Sequence, residues 1–146
     1  HEVGAVDSIV DIVGSAILIT MLKPDRICAS VVQDGHGFVH CQHGMLSVPV
    51  PAVCEIFAES DALIRQIDVD TELVTPTGAA IISELADSFG TMPMMTIDKM
   101  GWGAGTKILK IPNLLKVTLG YQETVSDNYT EQDEIMVLET NLDDCT

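Results

Sequence analysis

The first periodic signal in the chain runs from Val6, where Val6, Ile9, Val10, Val13, Ala16, Ile17 and Thr20 fall at helical spacing. Asp7 and Asp11 lie one turn apart on the opposite side, so the pattern predicts an amphipathic helix packed on another element. Its most apolar part, Ile12 to Leu22, is too short to cross a bilayer and has no basic upstream flank, which predicts a buried helix of a soluble protein. Strand-like runs follow at Ile27 to Gln33 and Phe38 to Gln42; Asp34-Gly35 between them is a pair favoured in tight turns and predicts a β-hairpin. Pro49-Val50-Pro51 excludes helix until Pro51, which suits the first position of a short helix over Ala52 to Glu59. Thr75-Pro76-Thr77-Gly78 repeats that grammar with a capping hydroxyl, and Ala79, Ile81, Ile82, Leu85, Ala86 and Phe89 extend it as an apolar stripe to Gly90. Met94 to Asp98, Leu115 to Tyr121 and Glu134 to Thr140 read as strands, separated by a tight glycine-rich turn and by the polar segment Glu123 to Gln132. Helices early and strands late predict an α+β fold, a mixed or antiparallel sheet with about three helices packed on one face.

A chain of 146 residues with 47% hydrophobic content can bury one core, so a single domain over residues 1–146 is expected. Lys and Arg number 7 against 22 Asp and Glu, a net charge of −15 that repels phosphate backbones and anionic lipid heads. Neither nucleic acid nor membrane is an expected partner. The same acidity attracts divalent cations, although a solvated acidic surface does so without any specific site. Cys28, Cys41, Cys54 and Cys145 form no CxxC pair, which excludes a zinc ribbon or a disulfide framework and fits a reducing, cytoplasmic location. An opening at His1 without Met, and an end at Thr146 just after an acidic pair, predict the central fragment of a longer protein.

The densest group of metal-ligand types is His36, His40, Cys41 and His43. On an extended strand Cys41 and His43 share one face while His36 and His40 share the other. A thiolate with an imidazole suits nickel, zinc or copper better than magnesium or calcium; a structural cysteine beside a surface histidine is the plainer alternative. Asp7 and Asp11, beside Gly4, Ser8 and Gly14, make a polar face that a cation could approach, or simply a solvated one. His1 and Glu2 would add ligands if the chain folds back. Thr75, Thr77 and Gly78 open a helix whose first amides lack internal partners, a place for phosphate or carboxylate, or capping alone. Gly101, Gly103 and Gly105 precede no amphipathic helix, so no dinucleotide or Walker loop is present. There is no Gly-x-Ser-x-Gly elbow and no HExxH helix, and no catalytic residue is assigned.

Taken together, HEVGAVDSIVDIVG at 1 to 14, His43-Gly44, VPVPA at 48 to 52, ELVTPTGAA at 72 to 80, GWGAG at 101 to 105, Pro112-Asn113 and ETNLDDCT at 139 to 146 resemble the nickel-insertion family that completes the nickel-pincer cofactor of lactate racemase. The resemblance implies a nickel chelatase of the lyase class, placing nickel into pyridinium-3,5-bisthiocarboxylic acid mononucleotide with cytidine triphosphate and manganese or magnesium involved. It covers nearly the whole chain but lacks the family's N-terminal segment and C-terminal nucleotide-binding part, so the fragment alone is expected to be inactive. Within it, Cys41 and His43 would receive nickel with Asp7, Asp11 or Glu2 as carboxylate partners, and Thr75, Thr77 and Gly78 would hold the mononucleotide phosphate. Lactate racemase is an expected partner, and a homo-oligomer stays open. The alternative is a non-catalytic nickel-binding or scaffold domain.

Overall fold

The computed structural model describes residues 6–41, 44–126 and 129–140, with side chains described outside 124–131. Three helices are present: α1 (Val6–Leu22), α2 (Pro51–Ala58) and α3 (Pro76–Leu85). The strands are β1 (Arg26–Ala29), β2 (Val32–Asp34), β3 (Phe38–Cys41), β4 (Gly44–Ser47), β5 (Ile64–Gln66), β6 (Ser88–Phe89), β7 (Thr96–Ala104), β8 (Leu114–Ser126) and β9 (Tyr129–Thr140). The main sheet runs in the order β6-β1-β9-β8-β7, with β1 parallel to both β6 and β9 and the remaining pairs antiparallel. Two small sheets stand apart from it, β2 with β5 in parallel and β3 with β4 as a hairpin. The predicted α+β class with a mixed sheet is what the chain forms.

The core explains why β9 lies at the centre. Ile135, Met136, Val137 and Leu138 are successive and all buried, so both faces of this strand need cover. On one face Met136 and Leu138 join Ile27 and Ala29 of β1 beneath Val53 and Phe57 of α2 and Ala79 and Ile82 of α3. On the other, Ile135 and Val137 cluster with Cys28, with Met95 packed against them. Local grammar sets the ends of the helices over this core. Thr75 is extended and its hydroxyl accepts the Gly78 amide, while Pro76 supplies the first turn of α3. Pro51 does the same for α2 without a side-chain cap. α1 closes at Lys23, whose φ of 49° and amide bond to the Ile19 carbonyl end the helix just before Pro24.

Five expectations are corrected. Asp34-Gly35 is not a hairpin turn: β2 pairs with β5, and the hairpin here is β3 with β4. Asp34 is fully buried and uses its carboxylate to hold another segment, which a solvent-facing turn could not do. α3 stops at Leu85 rather than running to Phe89; Ala86 turns extended, which lets Ser88 and Phe89 pair with Cys28 and Ala29. Gly101 and Gly103 sit inside β7 opposite Val117 and Leu115, and the turn comes later, where Gly105 donates to the Asn113 carbonyl. The polar stretch expected between strands is itself paired, since β8 and β9 continue together to Ser126 and Tyr129. Finally, α1 is a helix but not a buried one. Only Ser8 is buried, and Val6, Val10, Leu18 and Met21 are all at least 60% exposed. Among the described residues, Ile19 is the α1 side chain that packs against the core.

Candidate functional site

A cleft of about 660 Å³ opens where the first turn of α1, the β3–β4 hairpin, the start of α2 and the segment leading into α3 converge. Each wall has a physical reason to be there. The hairpin places His40 and Cys41 at the end of β3, against the cleft. α1 brings Asp7 and Asp11, one helical turn apart and both exposed. The α3 approach brings Glu72, Thr75 and Thr77. The Thr77 hydroxyl donates to Ser8 Oγ at 3.3 Å, tying the two helix starts together across the floor. Among the described residues no Lys or Arg lines the cleft, while Asp7, Asp11 and Glu72 do, so its walls favour a cation over an anion.

The expected ligand types are thus partly assembled. Asp7, Asp11 and Cys41 share one cleft, whereas His43 and Glu2 lie outside the described residues. His40, assigned by strand alternation to the face away from Cys41, lines the same cleft as its neighbour. Exposure alternates along Phe38 to Cys41, so the two residues keep opposite faces of the strand while both border the opening. His36 stands elsewhere, with Nε2 at 3.1 Å from Asp68 and Nδ1 at 4.0 Å from Asp70. Among the described residues no group of three or more His, Cys, Asp and Glu is gathered tightly enough to hold a metal ion. What the cleft offers is a soft pair, thiol and imidazole, with hard carboxylates across from it. Cys41 is a half-buried thiol outside any disulfide.

The start of α3 is mostly committed to its own capping. Pro76 has no N–H, the Gly78 amide goes to Thr75 Oγ1 at 3.2 Å, and the Ala79 amide goes to the Thr75 carbonyl at 2.9 Å. Thr77 keeps the first-turn amide that capping does not use. Gly78 lines a neighbouring hollow of about 410 Å³ together with Asp11, Thr75 and Thr77, so the two spaces share a wall. Glu72 is the lining residue that the sequence did not single out; its only signal is its place just ahead of the Thr75 cap. Lys107 approaches it from behind, donating to its carbonyl at 2.9 Å with Nζ 3.9 Å from its carboxylate.

The family model described as nickel insertion protein matches residues 1–146. The chain belongs to the nickel insertion protein family. It is 52% identical over 144 residues to the pyridinium-3,5-bisthiocarboxylic acid mononucleotide nickel insertion protein of Acetivibrio thermocellus, covering 99% of this chain and 35% of that protein. Proteins of the same name from Clostridium kluyveri and Desulfitobacterium hafniense are 48% identical over 149 residues and 44% identical over 146, with 99% of this chain and 35% and 36% of theirs covered. The chain therefore spans about a third of the length of these nickel insertion relatives. No solved structure matches it. Among the described residues no helix is long and apolar enough to cross a membrane.

Proposed function

We propose that this chain is the nickel-handling part of a cytoplasmic protein that inserts nickel into pyridinium-3,5-bisthiocarboxylic acid mononucleotide, forming the nickel-pincer cofactor of lactate racemase. The observation that carries the reading is the cleft that sets His40 and Cys41 against Asp7 and Asp11 in a chain of this family. In this reading residues 1–146 are a single domain, the central part of a longer chelatase of the lyase class that does not complete the reaction alone. Cys41 is the primary nickel ligand, and His40 joins it in place of, or together with, His43. Asp7, Asp11 and Glu2 draw the dication in and complete its shell with water. A sparse protein ligand set suits the task. The substrate's own name gives it two thiocarboxylates, and nickel must leave the protein for those sulfurs, so a tightly closed protein cage would oppose delivery.

Thr75, Thr77 and Gly78 orient the mononucleotide phosphate through the Thr77 amide, with the Thr77 hydroxyl joining when it turns from Ser8 Oγ. With Asp11 on the same wall, that contact is weak unless the metal offsets the carboxylate charge. A triphosphate is a poor guest in a cleft lined by three carboxylates and no Lys or Arg, which supports assigning cytidine triphosphate and its manganese or magnesium to other parts of the longer protein.

Nickel titration followed by near-ultraviolet absorption tests the reading, beside Cys41→Ala, His40→Ala and His43→Ala. Stoichiometric binding with a thiolate charge-transfer band, lost in Cys41→Ala and weakened in His40→Ala, is the expected result. Binding indifferent to Cys41 moves the metal step elsewhere. Nickel binding without any affinity for the mononucleotide favours a non-catalytic nickel-binding domain, and binding of neither favours a scaffold.

A further inference from the structure

The cleft has two facing walls that come from segments distant in sequence, and a buried junction behind them fixes how they stand. Asp34 is fully buried. Its Oδ1 accepts three amides, from Gly35 at 2.9 Å, Leu73 at 2.8 Å and Val74 at 3.3 Å. Its Oδ2 is also buried and has no hydrogen-bond partner among the described residues. A carboxylate with no cation beside it is an expensive group to bury unless its acceptor capacity is used for something specific. Here two of the three amides it collects, those of Leu73 and Val74, belong to the backbone between Glu72 and Thr75, both lining residues of the cleft.

The contact continues through backbone. The Ile67 amide bonds to the Asp34 carbonyl, and the His36 amide to the Val69 carbonyl. A Cβ on Gly35 would lie 1.9 Å from the Thr71 carbonyl oxygen and 2.4 Å from that of Val69, so only glycine permits this approach. Gln66 Nε2 then donates to the Gly35 and Val48 carbonyls at 3.0 and 3.1 Å, and the Val48 amide bonds to the Gly37 carbonyl. These last bonds tie down both ends of the β3–β4 hairpin that carries His40 and Cys41. The junction from Asp34 to Gly37 is therefore joined on one side to the Glu72–Thr77 wall and continues on the other into the His40–Cys41 strand.

We infer that Asp34 is the positioning residue of the cleft, setting the separation between its thiol-imidazole wall and its Glu72–Thr77 wall, to which the Thr77–Ser8 hydrogen bond ties the α1 turn carrying Asp7 and Asp11, and thereby how tightly a divalent metal is held between Cys41 and those carboxylates. The metal half of this inference rests on the nickel reading above; the wall-setting half does not.

Asp34→Asn keeps an acceptor at Oδ1 but removes the charge that strengthens the three amide bonds, so it isolates positioning from gross packing. Hydrogen exchange reads the walls without any metal. The expected result is faster exchange in Asp34→Asn, by roughly tenfold, at Leu73 and Val74 and together with them at Val39 to Cys41, while amides of β8 and β9 keep their protection. A change confined to Leu73 and Val74, or one spread equally over β8 and β9, overturns the inference. Gln66→Met, which removes the side-chain bonds to the Gly35 and Val48 carbonyls, gives the same local pattern at Val39 to Cys41 should Asp34→Asn fail to fold. Nickel titration separates the two ideas. The wild-type chain against Cys41→Ala decides the nickel reading. Where that reading holds, folded Asp34→Asn keeps the thiolate band but binds nickel roughly tenfold more weakly; wild-type affinity in that variant overturns the inference.

Discussion

Two isoleucines give a direct test of which surfaces this chain buries by itself. Ile135 lies at the centre of β9 with 0% exposure, and Ile17 lies on α1 with 54% exposure. Truncation to alanine removes the same three carbons at both, about 2.4 kcal/mol of transfer free energy when burial is complete. At Ile135 that full amount applies, and the neighbouring strands β1 and β8 cannot close the gap, so the cavity raises the cost to roughly 3–4 kcal/mol. At Ile17 about half of the transfer is already lost to water, no closed cavity forms, and alanine favours the helix by about 0.4 kcal/mol, which leaves roughly 0.5–1 kcal/mol. Urea unfolding of both variants, with unchanged slopes required for the comparison, measures the difference. A cost above about 2 kcal/mol at Ile17, or an unfolding midpoint that rises with protein concentration, would refute the argument. Either result means that α1 is covered in solution, most simply by a second copy.

Thr75→Ala removes the cap of α3 and should cost about 1 kcal/mol in the same assay, with Thr75→Ser recovering most of it; no loss would mean that Pro76 alone starts the helix. His36→Asn should leave nickel affinity unchanged, because His36 faces Asp68 and Asp70 and not the cleft. A fall in affinity would extend the metal site to that cluster.

Local signals were legible wherever one short-range force decides the outcome. The Thr75-Pro76 and Pro51 starts, and the strand identity of Leu115 to Tyr121 and Glu134 to Thr140, needed nothing beyond capping, fixed φ, side-chain alternation in the first strand and the short continuous apolar run Ile135 to Leu138 in the second. Tertiary pairing was not legible. Asp34-Gly35 carries the composition of a hairpin turn, yet the same two residues serve a buried carboxylate and a close backbone approach, and nothing local distinguishes the uses. The stripe through Phe89 failed for a related reason: an apolar residue after Leu85 satisfies a helix face or a strand beside β1 equally well, and the sheet won. In the cleft, Asp7, Asp11 and Cys41 were singled out by residue type, while His40 borders the same opening from the other face of its strand, which alternation alone does not reveal. Glu72 had no chemical neighbour in sequence to mark it.

The arrangement also bears on how a metal could be both captured and released. Capture is helped by long-range charge, and this chain has it in excess, with three carboxylates in the cleft and no Lys or Arg lining it. Retention depends on short-range donors, and here the structure is sparing: Cys41 and His40 both border the cleft, and among the described residues no group of three ligand types is gathered there. A zinc-finger-like cage of four donors would bind too well to transfer its ion to two thiocarboxylates. In the proposed nickel role, a thiol and an imidazole backed by carboxylates would take up the ion readily and would yield it to a better sulfur pair. On this argument, adding a ligand should not improve the protein. Thr75→His, placed on the opposite wall, is expected to tighten nickel binding and slow its transfer to a small dithiolate acceptor followed by absorption; faster transfer from the tighter variant would show that retention, and not release, limits the step.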